Sequence, residues 1–254
     1  MDRGIGEAIA AVTARPRLLV ATDFDGVLAP FVRDPLDARP QPGTIETITA
    51  LSAAADTWTA VVSGRDLATL TDLTGLGGSA TTLIGSHGAE TSRARQRPSG
   101  HQHDARLAAL RAYVEPTVTG RDPRIRLEHK PTALVMHTRG LPADAVRIAE
   151  EIAAEAAKVS GVHLLTGKDV HELSVVDADK GTALRALAGD LHVDAVVYLG
   201  DDVTDEHVFT VLGQQDLSIK VGPGETAARV RLEDCTEVPA VLTALAAARA
   251  DRTD

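Results

Sequence analysis

Five short apolar runs in this chain each stop abruptly at a cluster of polar residues and glycine. Arg17–Thr22 stops at Asp23-Phe24-Asp25-Gly26, and Thr57–Val62 stops at Ser63-Gly64-Arg65. Thr81–Ile84 stops at Gly85-Ser86-His87-Gly88, Asp194–Leu199 at Gly200-Asp201-Asp202, and Leu217–Val221 at Gly222-Pro223-Gly224. Runs of this length with β-branched residues read as buried strands. The segments 5–13, 44–55, 66–73, 179–189, 205–212 and 238–248 read as helices, with Ile45, Ile48, Leu51 and Ala55 marking one helical face. Strand alternating with helix predicts right-handed βαβ units, hence an α/β fold with a Rossmann-like parallel-sheet core.

The rhythm breaks in the middle of the chain. Residues 90–103 carry three Arg, Pro98 and Gly100 and read as a hairpin or linker. Beyond it come a helix at 104–114, strands at 124–128 and 133–138, a helix at 143–159, and strands at 162–166 and 171–176. Paired strands with two helices form an α+β pattern. The expected organisation is a core built from 1–101 and 177–254, with a smaller domain inserted at 102–176.

In a parallel sheet, strand ends of one polarity line one edge, where open α/β sheets bind ligands. That edge would carry Asp23, Asp25, Ser63, His87, Asp201, Asp202 and Asp205, joined by Lys180 at the start of a later helix. Residues i and i+2 of a strand share a face, so Asp23 and Asp25 can converge, and two such acids repel each other unless a cation intervenes. Taken singly, Asp-Gly and Ser-Gly are common turns and Lys180 is an ordinary helix lysine. Taken together, carboxylates that bind Mg²⁺, an ammonium and a hydroxyl suit phosphoryl transfer. One Asp would act as nucleophile and a second as proton donor.

The bulk numbers narrow the partners. A net charge of −10 without a basic block argues against nucleic-acid or anionic-membrane binding. The single cysteine, Cys235, cannot form an internal disulfide. No apolar run is long enough to span a membrane, and the N-terminal segment lacks the apolar stretch of a secretory signal. A cytoplasmic monomer acting on a small molecule is expected.

The motifs Asp23-Phe24-Asp25-Gly26-Val27-Leu28, Ser63, Lys180 and Gly200-Asp201-Asp202-Val203-Thr204-Asp205-Glu206 resemble those of haloacid-dehalogenase-type (HAD) phosphohydrolases. More closely, the chain resembles the trehalose-6-phosphate phosphatase family. That likeness rests on Ser63-Gly64-Arg65, His87-Gly88-Ala89-Glu90, Glu128-His129-Lys130, His137-Thr138-Arg139, Gly167-Lys168 with Glu172, and Thr204-Asp205-Glu206. It implies a HAD core whose α+β insert is a cap closing over the sugar. It also implies Asp23 as nucleophile, Asp25 as general acid and base, and Ser63 and Lys180 as phosphoryl-binding groups. Mg²⁺ would be held by Asp23, Asp201 and the main-chain carbonyl of Asp25, with Asp202 and Asp205 at or behind the metal. Arg65, His87, Glu128, Lys130, His137, Lys168 and Glu172 would bind the sugar phosphate. Val27 departs from the pattern, standing where many members have Thr. The resemblance leaves other readings open: a phosphatase for sucrose phosphate or mannosyl-phosphoglycerate, or a catalytically silent sugar-phosphate-binding regulatory subunit.

Overall fold

The computed structural model describes residues 3–93, 101–167 and 169–251. The chain divides into two compact units, Met1–Arg95 with Ala178–Asp254, and Gln96–Asp177.

The first unit is built on a seven-stranded sheet. Its strands are β1 (Leu18–Thr22), β2 (Thr57–Val62), β3 (Thr82–Gly85), β4 (Glu90–Thr91), β9 (Ala195–Gly200), β10 (Leu217–Val221) and β11 (Val230–Leu232), in the order β11-β10-β9-β1-β2-β3-β4. All neighbours are parallel except β4, which runs antiparallel to β3. From β1 the chain proceeds outward through β2 and β3, then returns to β9 on the opposite side and proceeds through β10 and β11. The reversal of strand order falls between β1 and β9, the point where open α/β sheets form a ligand crevice.

Strands buried on both faces are mainly apolar, and the central strands here are, with Thr57, Thr59, Ser218 and Lys220 among the buried polar exceptions. Leu18 and Val20 pack on one face with Val61, Leu83, Val197, Leu199 and Ile219. That face is covered by α1 (Arg3–Thr13), α2 (Thr44–Ala53), α3 (Leu67–Thr74) and α8 (Val238–Ala250), through residues such as Ile9, Ile48, Leu70 and Leu242. Leu19 and Ala21 pack on the other face with Ala60, Val62, Val196 and Tyr198, under Leu184, Leu187, Val208 and Phe209 of α6 (Lys180–Leu191) and α7 (Val203–Val211). Alternation thus assigns the next residue in the series Leu19, Ala21, Asp23 to the side of α6 and α7.

The second unit is a four-stranded antiparallel sheet of β5 (Arg126–His129), β6 (Ala133–His137), β7 (His163–Gly167) and β8 (Val170–Ser174), in the order β5-β6-β8-β7. One face, with Leu134, Met136 and Leu173, packs on α4 (His101–Arg121) and α5 (Ala143–Ala156). The opposite face carries Glu128, Val135 and Glu172 in one cross-strand row.

The expected parallel α/β core is present, and one local expectation needs correction. The helix predicted at 104–114 runs through Pro116 to Arg121. Proline removes one helical hydrogen bond and crowds the preceding turn, but Leu107, Leu110, Val114 and Val118 are all buried in the core of the unit, and burying the last of them requires the helix to continue. Strands β4 and β11 are only two and three residues long and carry no periodic signal. Of the hairpin or linker expected at 90–103, residues 94–100 lie outside the described residues.

Arg249 of α8 ties the ends of the elements flanking β1 together. Its guanidinium, 3% exposed, donates to the carbonyls of Thr13, Arg15, Pro16, Ala55 and Asp56, and to Thr57 Oγ1 at 2.8 Å. Arg249→Ala is expected to lower stability by about 3 kcal/mol, because it strands several buried acceptors. Urea unfolding checks this: the midpoint should fall with the slope unchanged.

Candidate active site

The strand register brings the predicted polar residues of the first unit to one edge. Thr22 pairs with Val61 on one side and Leu199 on the other, so β1, β2 and β9 end level. The Asp23 amide donates to the Leu199 carbonyl at 2.8 Å, which seats Asp23 beside the end of β9.

Lys180, the first residue of α6, is 2% exposed. Its ammonium donates to Asp23 Oδ2 at 2.7 Å and to Asp205 Oδ1 at 2.9 Å. Asp205 is fully buried and saturated with donors. Oδ1 also takes the Tyr198 hydroxyl at 2.7 Å, and Oδ2 takes the amides of Asp201 at 2.9 Å and Asp202 at 3.0 Å. Asp202 caps α7, its side chain accepting from the Val203 amide at 2.6 Å. Asp205 is therefore a scaffold that fixes Lys180 and the peptide of Asp201.

Asp23, Asp201 and Asp205 can each direct one oxygen to within 4.8 Å of the others, the spacing of a cation site. Asp201 Oδ1 is buried and has no hydrogen-bond partner among the described residues. Gly26, at φ +74°, makes the approach possible: a Cβ there would lie 2.1 Å from Asp201 Oδ2. A carboxylate with one oxygen buried and unpartnered and the other brought against a glycine turn, beside a second carboxylate, fits a hard divalent cation. Since the oxygens of Asp205 are taken, Asp23 and Asp201 are the side chains best able to ligate it.

The charges agree. Burial pushes the Asp23 carboxyl well above the ordinary carboxylate range; Lys180 opposes this, and Asp205 and Asp201 reinforce it. Burial and Asp205 push Asp201 up to about 7. Burial works against ionisation of Asp205 too, but Lys180 and the converging donors hold it below its ordinary value. Burial also works against the charge on Lys180, yet Asp23 and Asp205 raise its pKa. One ammonium among three carboxylates leaves the site short of positive charge.

Asp25 has a partner that sequence reasoning missed. Arg65 binds it through two parallel bonds, Nε to Oδ2 and Nη2 to Oδ1, both 2.7 Å. The guanidinium also lies 5.5 Å from the centre of the Phe24 ring. Only the main-chain carbonyl of Asp25 is then left for a metal. Ser63, 1% exposed, accepts the Arg65 amide on its Oγ at 3.1 Å. His87 adopts a positive φ of +53°. Its amide donates to the Ser63 carbonyl at 3.0 Å, and its ring covers Gly64, where a Cβ would fall 2.5 Å from the imidazole. Val27 is wholly buried in the core.

The second unit brings four predicted residues together. Lys130 Nζ meets Glu172 Oε2 at 2.6 Å, and both residues are nearly buried. His137 Nε2 meets Glu128 Oε2 at 2.7 Å, a contact that holds the Glu128 carboxyl below its ordinary value. Lys168 lies outside the described residues.

Comparison with known proteins gives the chain a family. Residues 21–235 match the family model described as Trehalose-phosphatase. The chain belongs to that family. It is 34% identical over 241 residues to the trehalose-phosphate phosphatase of Mycobacterium marinum, covering 88% of this chain but 60% of that protein. The chain thus spans about three-fifths of the length of such curated relatives. The C-terminal domain of C. albicans trehalose-6-phosphate phosphatase shares the fold, with a TM-score of 0.76, 22% identity and 96% of both chains covered. A trehalose-6-phosphate phosphatase related protein superposes with a TM-score of 0.75 at 27% identity, covering 92% of this chain and 99% of that one. No described helix is long and apolar enough to cross a membrane.

The raised Asp201 value makes stability depend on pH. Between its ordinary value of 3.8 and about 7, the folded chain keeps a proton that the unfolded chain has released. Stability therefore falls as pH rises through that window. Asp23 acts in the same direction, while Asp205 acts oppositely and only below 3.8. Without divalent cations the thermal midpoint should fall as pH rises from about 5 to about 7.5, and a divalent cation should restore it mainly at the upper end. Calorimetry at several pH values, with and without the cation, checks both.

Proposed function

We propose that this chain is a Mg²⁺-dependent phosphatase that hydrolyses trehalose 6-phosphate to trehalose and phosphate through an aspartyl-phosphate. The observation that carries this reading is the buried Lys180 ammonium joining Asp23 to Asp205, beside an Asp201 oxygen with no hydrogen-bond partner. Membership of the trehalose-phosphatase family supports the substrate.

The carboxylates of Asp23 and Asp201 and the main-chain carbonyl of Asp25 would hold the ion. Once bound, it supplies positive charge that lets a phosphate dianion approach a cluster of carboxylates. Asp23 attacks phosphorus; the bond from phosphorus to the sugar oxygen breaks, and Asp25 gives that oxygen its proton. Asp25 then takes a proton from the water that attacks the phosphoaspartate, which returns Asp23 as a carboxylate and releases phosphate. Lys180 and Ser63 bind phosphoryl oxygens through both steps. Asp25 can reach the leaving oxygen only after letting go of at least one Arg65 bond, which frees the guanidinium for the phosphate.

The polar face of the second unit is proposed to take the disaccharide hydroxyls through Glu128, Lys130, His137 and Glu172, with Lys168; Arg65 and His87 of the first unit are proposed to bind the phosphate side of the substrate. In this reading residues 1–101 and 177–254 are the catalytic core and 102–176 the cap. The protein would act as a cytoplasmic monomer. The silent regulatory alternative is disfavoured because the nucleophile, proton donor, lysine and metal acid are all in the chain.

Phosphate release from trehalose 6-phosphate, sucrose phosphate, mannosyl-phosphoglycerate and an aryl phosphate, with and without Mg²⁺, tests the proposal. Release from trehalose 6-phosphate that requires Mg²⁺ is expected. No release from any substrate would sink the enzyme reading, and release from sucrose phosphate alone would sink the trehalose assignment. Glu172→Ala should lower kcat/KM for the sugar phosphate by about 10- to 100-fold, the cost of losing a charged hydrogen bond. Turnover of the aryl phosphate should be nearly unchanged. Equal losses on both would contradict a sugar-binding role.

A further inference from the structure

Among the described residues, one buried ammonium takes no part in the proposed mechanism. Lys220 lies in β10 opposite Gly200 of β9 and is 5% exposed. Its Nζ donates to the main-chain carbonyl of Asp201 and lies 3.6 Å from Glu206 Oε1. That Glu206 oxygen is buried and takes no hydrogen bond among the described residues, so the ammonium is its main electrostatic partner. The other oxygen, Oε2, accepts the Ala227 amide at 2.9 Å and Thr226 Oγ1 at 3.3 Å. Glu206 is in this way fixed from the far side by the segment between β10 and β11.

The result is a residue held through both of its flanking peptide groups. The Asp201 amide is held by Asp205, and its carbonyl by Lys220. With N–H and C=O both engaged, the Asp201 side chain leaves the backbone in one direction only, toward the turn at Gly26. A lysine is a strongly hydrated point charge, and burying it is costly unless its donors are used. A positive charge beside a cation site would also weaken that site by Coulomb repulsion. Its presence there calls for a contribution that outweighs the repulsion, and the bond to Asp201 provides one.

We propose that Lys220 is a positioning residue for the cation site, holding the Asp201 carbonyl so that the side-chain oxygen meets the ion, with Glu206 anchoring the ammonium. This rests on the reading of Asp23 and Asp201 as metal ligands.

Direct Mn²⁺ binding to the metal-free chain, followed by electron paramagnetic resonance, tests it without any turnover. Lys220→Met should raise the Mn²⁺ Kd by about tenfold or more, the usual range for losing a group that orients a ligand. Charge alone predicts the opposite sign, because the variant has lost a neighbouring cation. Lys220→Met combined with Glu206→Gln keeps the net charge and leaves no buried carboxylate unpaired, so it serves if the single variant does not fold. It should show the same loss. Wild-type or tighter affinity in either variant, with a wild-type circular dichroism spectrum, would overturn the inference. Failure of the unsubstituted chain to bind Mn²⁺ would overturn the metal reading itself, and this inference with it. Lys220→Arg, which keeps a charged donor, should bind more tightly than Lys220→Met.

Discussion

One buried ammonium set among three carboxylates governs this protein. Lys180 could not stay buried and charged without Asp23 and Asp205, and those two could not sit so close without Lys180. The arrangement is still short of positive charge, and burial pushes the remaining acid, Asp201, up to about 7. A site left short of positive charge can take a further cation, and with that cation bound it would attract a phosphate dianion. The proposed chemistry follows from that imbalance.

The sheet makes the imbalance reproducible. Parallel register ends β1 and β9 at the same level. Alternation along β1 directs Asp23 to the side where α6 and α7 pack, the side from which Lys180, Asp205 and Tyr198 also come. The core and the site are thus one construction: the leucines and valines that bury both faces of the sheet set the spacing of the charges at its edge. The work of holding the acids apart from their alternatives is divided among neighbours, with Asp205 gripping the Asp201 amide, Lys220 its carbonyl and Arg65 the carboxylate of Asp25.

Much of this is legible in the amino-acid sequence, for identifiable reasons. Strand ends announce themselves because a two-face-buried strand is mainly apolar and then stops at glycine and polar residues. The gathering of Asp23, Ser63, Lys180 and Asp201 at one edge follows from parallel topology alone. Side-chain pairing is different. Arg65 and Asp25 are 40 residues apart, and Lys130 and Glu172 are 42 apart, with no local pattern linking either pair. Tyr198 carried a usable signal, because a tyrosine inside an apolar strand needs a buried acceptor for its hydroxyl, and alternation puts it on the Asp23 face. Lys220 carried the same kind of signal inside Leu217–Val221. The end of α4 was misread because Pro116 is a strong local stop, overridden here by the buried faces of Val114 and Val118.

The central claim is that Asp23 takes the phosphoryl group. Turnover of trehalose 6-phosphate quenched in acid and then reduced with borohydride tests it, since borohydride converts an aspartyl-phosphate into homoserine. Peptide mass spectrometry should find homoserine at position 23, and only when substrate and Mg²⁺ were both present. Phosphate release accompanied by homoserine at another aspartate, or by none at all, would contradict the account.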